Sequence, residues 1–229
     1  MGGFKRVVGA TAITGAVLFG MSGCFLGDDR QHEDVSYGVA DQVKALVVHA
    51  DTGDVKVTGG GSGVQVTEHR SYQDQQPDAT HVTAADGTLT LGYRCPDHNC
   101  AVGYEVKVPA GTVVKVVTDT GSVELTGLKA EVDAKTETGD VEAEDLAGAR
   151  ASLSTQTGSV RARFTGDVTE VHSSSQTGSV RLTLPKEAAY LVNAKAQTGN
   201  VNVGVKQDPA ATRTVTATTE TGDVTVSGA

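Results

Sequence analysis

The sequence predicts an all-β fold: a single short β-solenoid, β-helix-like, with coils of about 20 residues and an irregular, disulfide-tipped N-terminal part. Three observations predict it. A Thr-Gly-x-Val unit occurs seven times, at Thr52-Gly53, Thr120-Gly121, Thr138-Gly139, Thr157-Gly158, Thr177-Gly178, Thr198-Gly199 and Thr221-Gly222. The residues around each unit alternate apolar and polar with period two, the pattern of a strand with one buried face. The chain also has no Trp and 4% aromatic residues, which leaves Val, Ala and Thr to fill a thin interior.

After a first gap of 68 residues, successive glycines are spaced 18, 19, 20, 21 and 23 apart. Counting back in twos from each of the last six glycines, the first column is Thr throughout. The second is Thr118, Thr136, Thr155, Ser175, Ala196 and Thr219, and the third and fourth are apolar or small, ending at Val114, Val132, Ala151, Val171, Val192 and Val215. The interleaved column is polar: Asp119, Glu137, Gln156, Gln176, Gln197 and Glu220. This register predicts both Thr columns inward, with their hydroxyls hydrogen-bonded within the stack, because an unpaired buried hydroxyl costs about 1–3 kcal/mol. Past the glycine, pairs such as Val123/Leu125 and Val180/Leu182 resume the buried face, and Gly with Asp, Asn or Ser marks the corner. A third apolar position follows at Leu128, Leu146, Phe164, Leu184 and Val205. Such a unit cannot bury its own face, but coils stacked about 4.8 Å apart can.

The first copy, from Leu46 to Val57, fits the same columns and is followed by an irregular stretch, 59–112. Strands are expected there near Val64–Glu68, His81–Ala84, Thr88–Tyr93 and Tyr104–Val108, with a hairpin tipped by Cys95-Pro96-Asp97-His98-Asn99-Cys100 capping this end of the solenoid. Cys95 and Cys100 form an even pair, which favours a disulfide in an oxidising compartment. A loop this short would stabilise by about 2 kcal/mol. The alternative, a metal site using both cysteines with His98 or Asp97, lacks a further His or Cys at ligand spacing.

Residues 1–23 read as a targeting segment. Lys5 and Arg6 precede an uncharged apolar run, Val7 to Met21, too short to span a membrane comfortably and suited to a signal peptide. The run ends on Met21-Ser22-Gly23-Cys24, which resembles the lipobox of bacterial lipoproteins, with Met where Leu or Val is usual. The resemblance implies that Cys24 is lipidated and anchors the chain to the outer face of the cytoplasmic membrane or the cell surface; otherwise Cys24 is a buried thiol ending an uncleaved helix. Residues 24–38 read as the lipidated Cys and a flexible acidic tether, and 39–229 as the solenoid domain. Losing Lys5 and Arg6 takes the formal charge from −9 to −11. An acidic chain without a basic patch is a poor partner for nucleic acid.

The run Thr118-Asp119-Thr120-Gly121-Ser122-Val123 and its five downstream relatives carry a resemblance to the adhesin domain family, exported bacterial β-solenoids of unknown function built on repeated T-x-T-G-[DSN]-V. The resemblance spans 39–229 and implies a binding or scaffold role with no shared catalytic residues.

No nucleophile stands beside a base, there is no G-x-S-x-G elbow, and His32, His49, His69, His81, His98 and His172 are scattered. The expectation is therefore a non-catalytic envelope lipoprotein without cofactor, whose ligand is an envelope glycan or protein. The alternative is a carbohydrate-active envelope enzyme of the β-helix type, which needs a groove that such short coils do not provide. The alternation rejects an ice-binding Thr ladder, because in this register both Thr columns point inward and the Asp, Glu or Gln between them faces water. The outward series Glu124, Glu142, Arg161, Arg181, Asn202, Thr225 sets Glu142 beside Arg161. Asp119, Glu137, Asp140, Glu124 and Glu142 gather carboxylates near one corner, weak candidates for a Ca²⁺ site. The C-terminal strand, Val224 to Ala229, is expected to leave an open edge for strand addition by a second copy or another envelope protein.

If Cys24 carries the anchor, Cys24→Ser yields a chain without acyl groups by mass spectrometry; acylation of the mutant would overturn the assignment.

Overall fold

The computed structural model describes residues 30–229; the leader and Cys24 lie outside them. Nineteen strands are described: β1 (Gln31–Val39), β2 (Ala45–Thr52), β3 (Val55–Gly59), β4 (Val64–Tyr72), β5 (Asp78–Thr83), β6 (Thr88–Arg94), β7 (Cys100–Val108), β8 (Val113–Thr120), β9 (Val123–Thr126), β10 (Val132–Thr138), β11 (Val141–Leu146), β12 (Arg150–Thr157), β13 (Val160–Phe164), β14 (Glu170–Thr177), β15 (Val180–Leu184), β16 (Leu191–Thr198), β17 (Val201–Val203), β18 (Thr214–Thr221) and β19 (Val224–Gly228). They form two facing sheets, of ten and nine strands. Each coil gives one strand to either sheet, and all but the β6/β7 coil turn between them at a Thr-Gly corner. Inward Val, Ala and Leu from both sheets make one continuous narrow core, and the third apolar positions Leu128, Leu146, Phe164, Leu184 and Val205 are all buried in it.

The corner explains the repeat. Gly121, Gly139, Gly158, Gly178, Gly199 and Gly222 adopt φ between 137° and 150°, a conformation open to glycine. A Cβ on any of them would overlap the carbonyl of the corner glycine one coil away. That carbonyl accepts a bond from an inward hydroxyl of the next coil: Thr136 Oγ1 to Gly121 O at 2.9 Å, Thr155 to Gly139 at 2.8 Å, Ser175 to Gly158 at 2.8 Å and Thr219 to Gly178 at 2.8 Å. The second Thr column is thus buried and bonded within the stack, as the sequence predicts.

Coils do not stack in chain order at either end. In space the order is β6/β7, β2/β3, β8/β9, β10/β11, β12/β13, β14/β15, β18/β19, β16/β17. The last coil of the sequence inserts beneath the one before it. Thr219 is fitted to that inner place because it reaches the Gly178 carbonyl, whereas the equivalent Ala196 has no hydroxyl and sits outermost. The longest spacing among the last six corner glycines, 23 residues, supplies the return segment, pinned by Arg213 Nη2 to Asp167 Oδ1 at 2.7 Å. The C-terminal strand β19 therefore lies between β15 and β17, and the open edge expected of it belongs to β16 and β17 instead.

At the other end, β6 and β7 lie in different sheets, each parallel to a strand of the first Thr-Gly coil. The Cys95–Cys100 disulfide, with Cα atoms 5.5 Å apart, is the corner of that coil rather than the tip of a hairpin. It replaces the Thr-Gly turn with a covalent one. Residues 31–38, expected as tether, are strand β1, paired antiparallel along its length with β4. Val35, Tyr37 and Val39 supply its half-buried face, enough to hold an otherwise polar run in place.

The cap contains a buried ion pair. In β4 the inward register set by Val64 and Val66 continues through Glu68, Arg70 and Tyr72. Glu68 is 1% exposed, and its carboxylate accepts from Arg70 Nη2 at 2.6 Å, Arg70 Nε at 2.9 Å and Tyr37 Oη at 2.7 Å. Burial, followed by the bond to Glu68, pushes the Tyr37 phenol well above its ordinary pKa. The Tyr37 ring packs on His81 of β5, centroids 4.7 Å apart, joining the two sheets across the end.

Two outcomes follow for chemical denaturation. Gly158→Ala destabilises by about 3 kcal/mol or more, because it adds both left-handed strain and a backbone overlap; Gly111→Ala, which meets nothing within 4 Å, is neutral. Arg70→Met costs about 3–5 kcal/mol by stranding the Glu68 carboxylate, and the double variant Glu68→Leu/Arg70→Met recovers most of the loss.

Candidate functional site

The outward surface consists of ladders, in which each side chain repeats one coil further on. At the corner the alternation stops one residue before the glycine, so two consecutive residues face solvent. Thr52, Thr120, Thr138, Thr157, Thr177, Thr221 and Thr198, in stacking order, are therefore exposed, and the expectation that both Thr columns point inward is corrected: only the second does. The exposed rank runs beside Asp119, Glu137, Gln156, Gln176, Glu220 and Gln197, so it is a single Thr file bordered by carboxylates and amides.

The residue after each glycine ties neighbouring corners together. Asp54 Oδ1 accepts from the Ser122 N–H at 2.8 Å, Asp140 Oδ1 from Ser159 at 2.6 Å, and Asp223 Oδ1 from Asn200 at 2.9 Å. The last of these bonds holds the Asp223 carboxyl below the usual carboxylate range. It also seats the β16/β17 coil upon β18/β19.

On the outer face of the ten-stranded sheet the register runs Lys56, Glu124, Glu142, Arg161, Arg181, Thr225, Asn202. The last two are exchanged relative to sequence order because the terminal coils are. Arg161 meets Glu142 at 2.8 Å, as the sequence predicts, and Arg163 meets Glu144 at 2.7 Å and Asp145 at 2.8 Å. The Glu144 bond and the two carboxylates raise the Arg163 guanidinium pKa. All are exposed, so water and salt screen them and each pair contributes little to stability.

The five carboxylates considered for Ca²⁺ are not brought together. Asp119 and Glu137 lie on the nine-stranded sheet before the corner, and Asp140, Glu124 and Glu142 lie beyond it. Glu124 faces Lys56 at 3.7 Å, while Glu142 and Asp140 share Arg161, the latter at 3.9 Å. No group of three or more His, Cys, Asp or Glu among the described residues is placed to hold a metal. Cys95 and Cys100 are joined to each other, so neither is a thiolate ligand; Asp97 accepts from the Asn99 N–H at 3.1 Å and His98 is exposed with φ 62°. His172 is exposed and bonded to Glu170 at 2.9 Å.

One concavity went unforeseen. Asp54, Lys56, His69, Tyr104, Glu105 and Glu124 line a shallow groove of about 220 Å³. Gly103 adjoins it, and a Cβ there would sit tightly against the Asp54 carbonyl, 3.2 Å away. A glycine inside the strand pattern of β7 was the available signal. His69 Nδ1 lies 2.7 Å from Asp34 Oδ1, both well exposed. The other polar side chains of the groove are carboxylates and one lysine, which suits weak polar contact rather than nucleophilic chemistry.

Among solved structures the chain is similar to a proposed cell adhesion protein from Clostridium sporogenes ATCC 15579, with a TM-score of 0.55 and 12% identity over 87% of this chain and 100% of that one. A proposed adhesin from Bacteroides fragilis NCTC 9343 follows, with a TM-score of 0.42 and 14% identity over 87% and 97% of the two chains. No curated protein matches the sequence. The family model of the Toastrack DUF4097 domain matches residues 39–227, nearly the whole of the described chain. With its repeated corners, two-sheet stack and irregular first coils, the chain belongs to the Toastrack DUF4097 family.

Proposed function

We propose that this protein is a non-catalytic binding or scaffold protein of the cell envelope, exported and held on the membrane through lipid on Cys24. The observation that carries this reading is the surface itself. Several charged side chains of the outer faces are engaged in coil-to-coil ladders, as in Glu142–Arg161 and Arg163–Glu144, and the two sheets present long, regular faces suited to displaying contacts. Its fold neighbours are described as adhesins, in keeping with such a role. The ligand is an envelope glycan or an envelope protein, met over an extended face at many weak points rather than in a pocket.

The full chain held on liposomes by its lipid should retain polysaccharide or protein extracted from its own envelope, with the glycan length unchanged after prolonged incubation. Shortened glycan with new chain ends, scaling with protein added, would overturn the reading in favour of an envelope carbohydrate-active enzyme.

A further inference from the structure

The two ends of the stack differ in chemistry. At the first end the edge strands β1 and β5 run antiparallel to their neighbours and carry Glu33, Asp34, Asp78 and two histidines. At the other end the edge strands β16 and β17 are parallel to theirs, and Lys195 is the single charge between Leu191 and Val203. Leu191 and Val201 are 43% and 45% exposed. Val192, Ala194, Ala196 and Val203, which occupy the inward columns, are only half-buried, although Val215, Ala217, Thr219 and Val226 beneath them are buried. One side of each edge strand has no strand partner among the described residues. The core is thus cut open across an apolar, nearly uncharged strand edge.

We propose that this end docks the same end of a second copy, β16 pairing antiparallel with β16 about a two-fold axis. Head-to-tail stacking would set the apolar edge, whose one cation is Lys195, against the carboxylates Glu33, Asp34 and Asp78 and the Arg70 and Arg94 that pair with two of them, a charged end that loses hydration against Val, Ala and Leu. The two-fold arrangement sets Val and Ala on Val and Ala, and a self-complementary patch is what such symmetry requires. Facing residues of an antiparallel pair share a sheet face, so pairing centred on Ala194 opposes Val192 to Ala196 and continues the inward columns from one copy into the next. The same register opposes Lys195 to Asn193 and keeps the two Lys195 side chains apart. The end face is small, below the roughly 1,200 Å² of a stable interface, which makes the pair weak and dependent on local concentration. The inference adds a partner to the surface-protein reading but rests on the open edge alone, so a monomeric result leaves that reading standing.

The test is analytical ultracentrifugation of the full chain in detergent between about 1 μM and about 500 μM, where a weak pair of this kind populates. The protein mass of the wild type doubles across the range. Leu191→Lys/Val201→Lys remains monomeric, and Val82→Lys, 62% exposed on β5 at the opposite end, dimerises like the wild type. Asn193 is exposed, so its variants test the register without disturbing the fold: Asn193→Lys weakens dimerisation, and Asn193→Glu strengthens it, by about threefold to tenfold. A wild type monomeric throughout, a dimer that survives the double lysine variant, an equal loss in Val82→Lys, or indifference to both Asn193 variants overturns the proposal.

Discussion

The corner glycines hold this molecule to its shape. Each is stacked so closely on the next that only hydrogen fits between one Cα and the neighbouring carbonyl, and the carbonyls of the inner corners are bonded by a hydroxyl from the following coil, as in Thr155 to Gly139. Close approach and hydroxyl act together: the approach leaves no room for water at the carbonyl, so the chain must supply the donor itself. That single requirement selects Thr or Ser two residues before the next Thr-Gly pair and sets the pitch of the stack. The in-register ladders on both outer faces follow from it.

The core can be thin because of the same constraint. Inward Val and Ala meet across two sheets, and the larger Leu128, Leu146, Phe164 and Leu184 fill the far side where the coil turns back. Little apolar area is available per coil, so stability accumulates by repetition, each coil completing the burial of its neighbour. The first coils add other devices. Tyr93 donates to the Thr52 carbonyl at 2.7 Å and accepts from the Thr52 N–H at 2.6 Å, bracing a corner that the disulfide coil does not reach with a threonine. Glu68 and Arg70 supply a buried charge pair where side chains rather than coils close the end.

Much of this was legible in the sequence because the repeat is a direct record of contacts. The glycines, the second hydroxyl column, the third apolar position and the Glu142–Arg161 pair all occupy the places their spacing implies. The first Thr column was misread because period two was carried through Thr120 and its equivalents, where the chain has already begun to turn and two successive residues face out. The order of the end coils was hidden as well: Val192 and Val215 serve the same column, and nothing in the pattern alone says which coil is the inner. Ala196, in a column of hydroxyls, was the one residue that bore on the question. Glu68 was visible by parity with Val64 and Val66, yet a carboxylate in an inward column reads as an error of register until Arg70 and Tyr37 are seen around it. The groove over Gly103 depends on strands far apart in sequence, so it had only that glycine as a trace.

The inserted last coil has a consequence for how the chain is made and shortened. A stack assembled strictly in order could grow one coil at a time as the chain is made and could lose its final coil with little harm. Here β16 and β17 cannot reach their resting place until β18 and β19, synthesised after them, have slid in against β14 and β15. The segment 214–229 therefore acts as a bolt that completes two coils at once, β18 and β19 seating against β14 and β15 and receiving β16 and β17. At this end the edge strands β16 and β17 have flanking segments that lead back to coils locked in the interior, so they are tethered at either side and cannot peel away as a free tail.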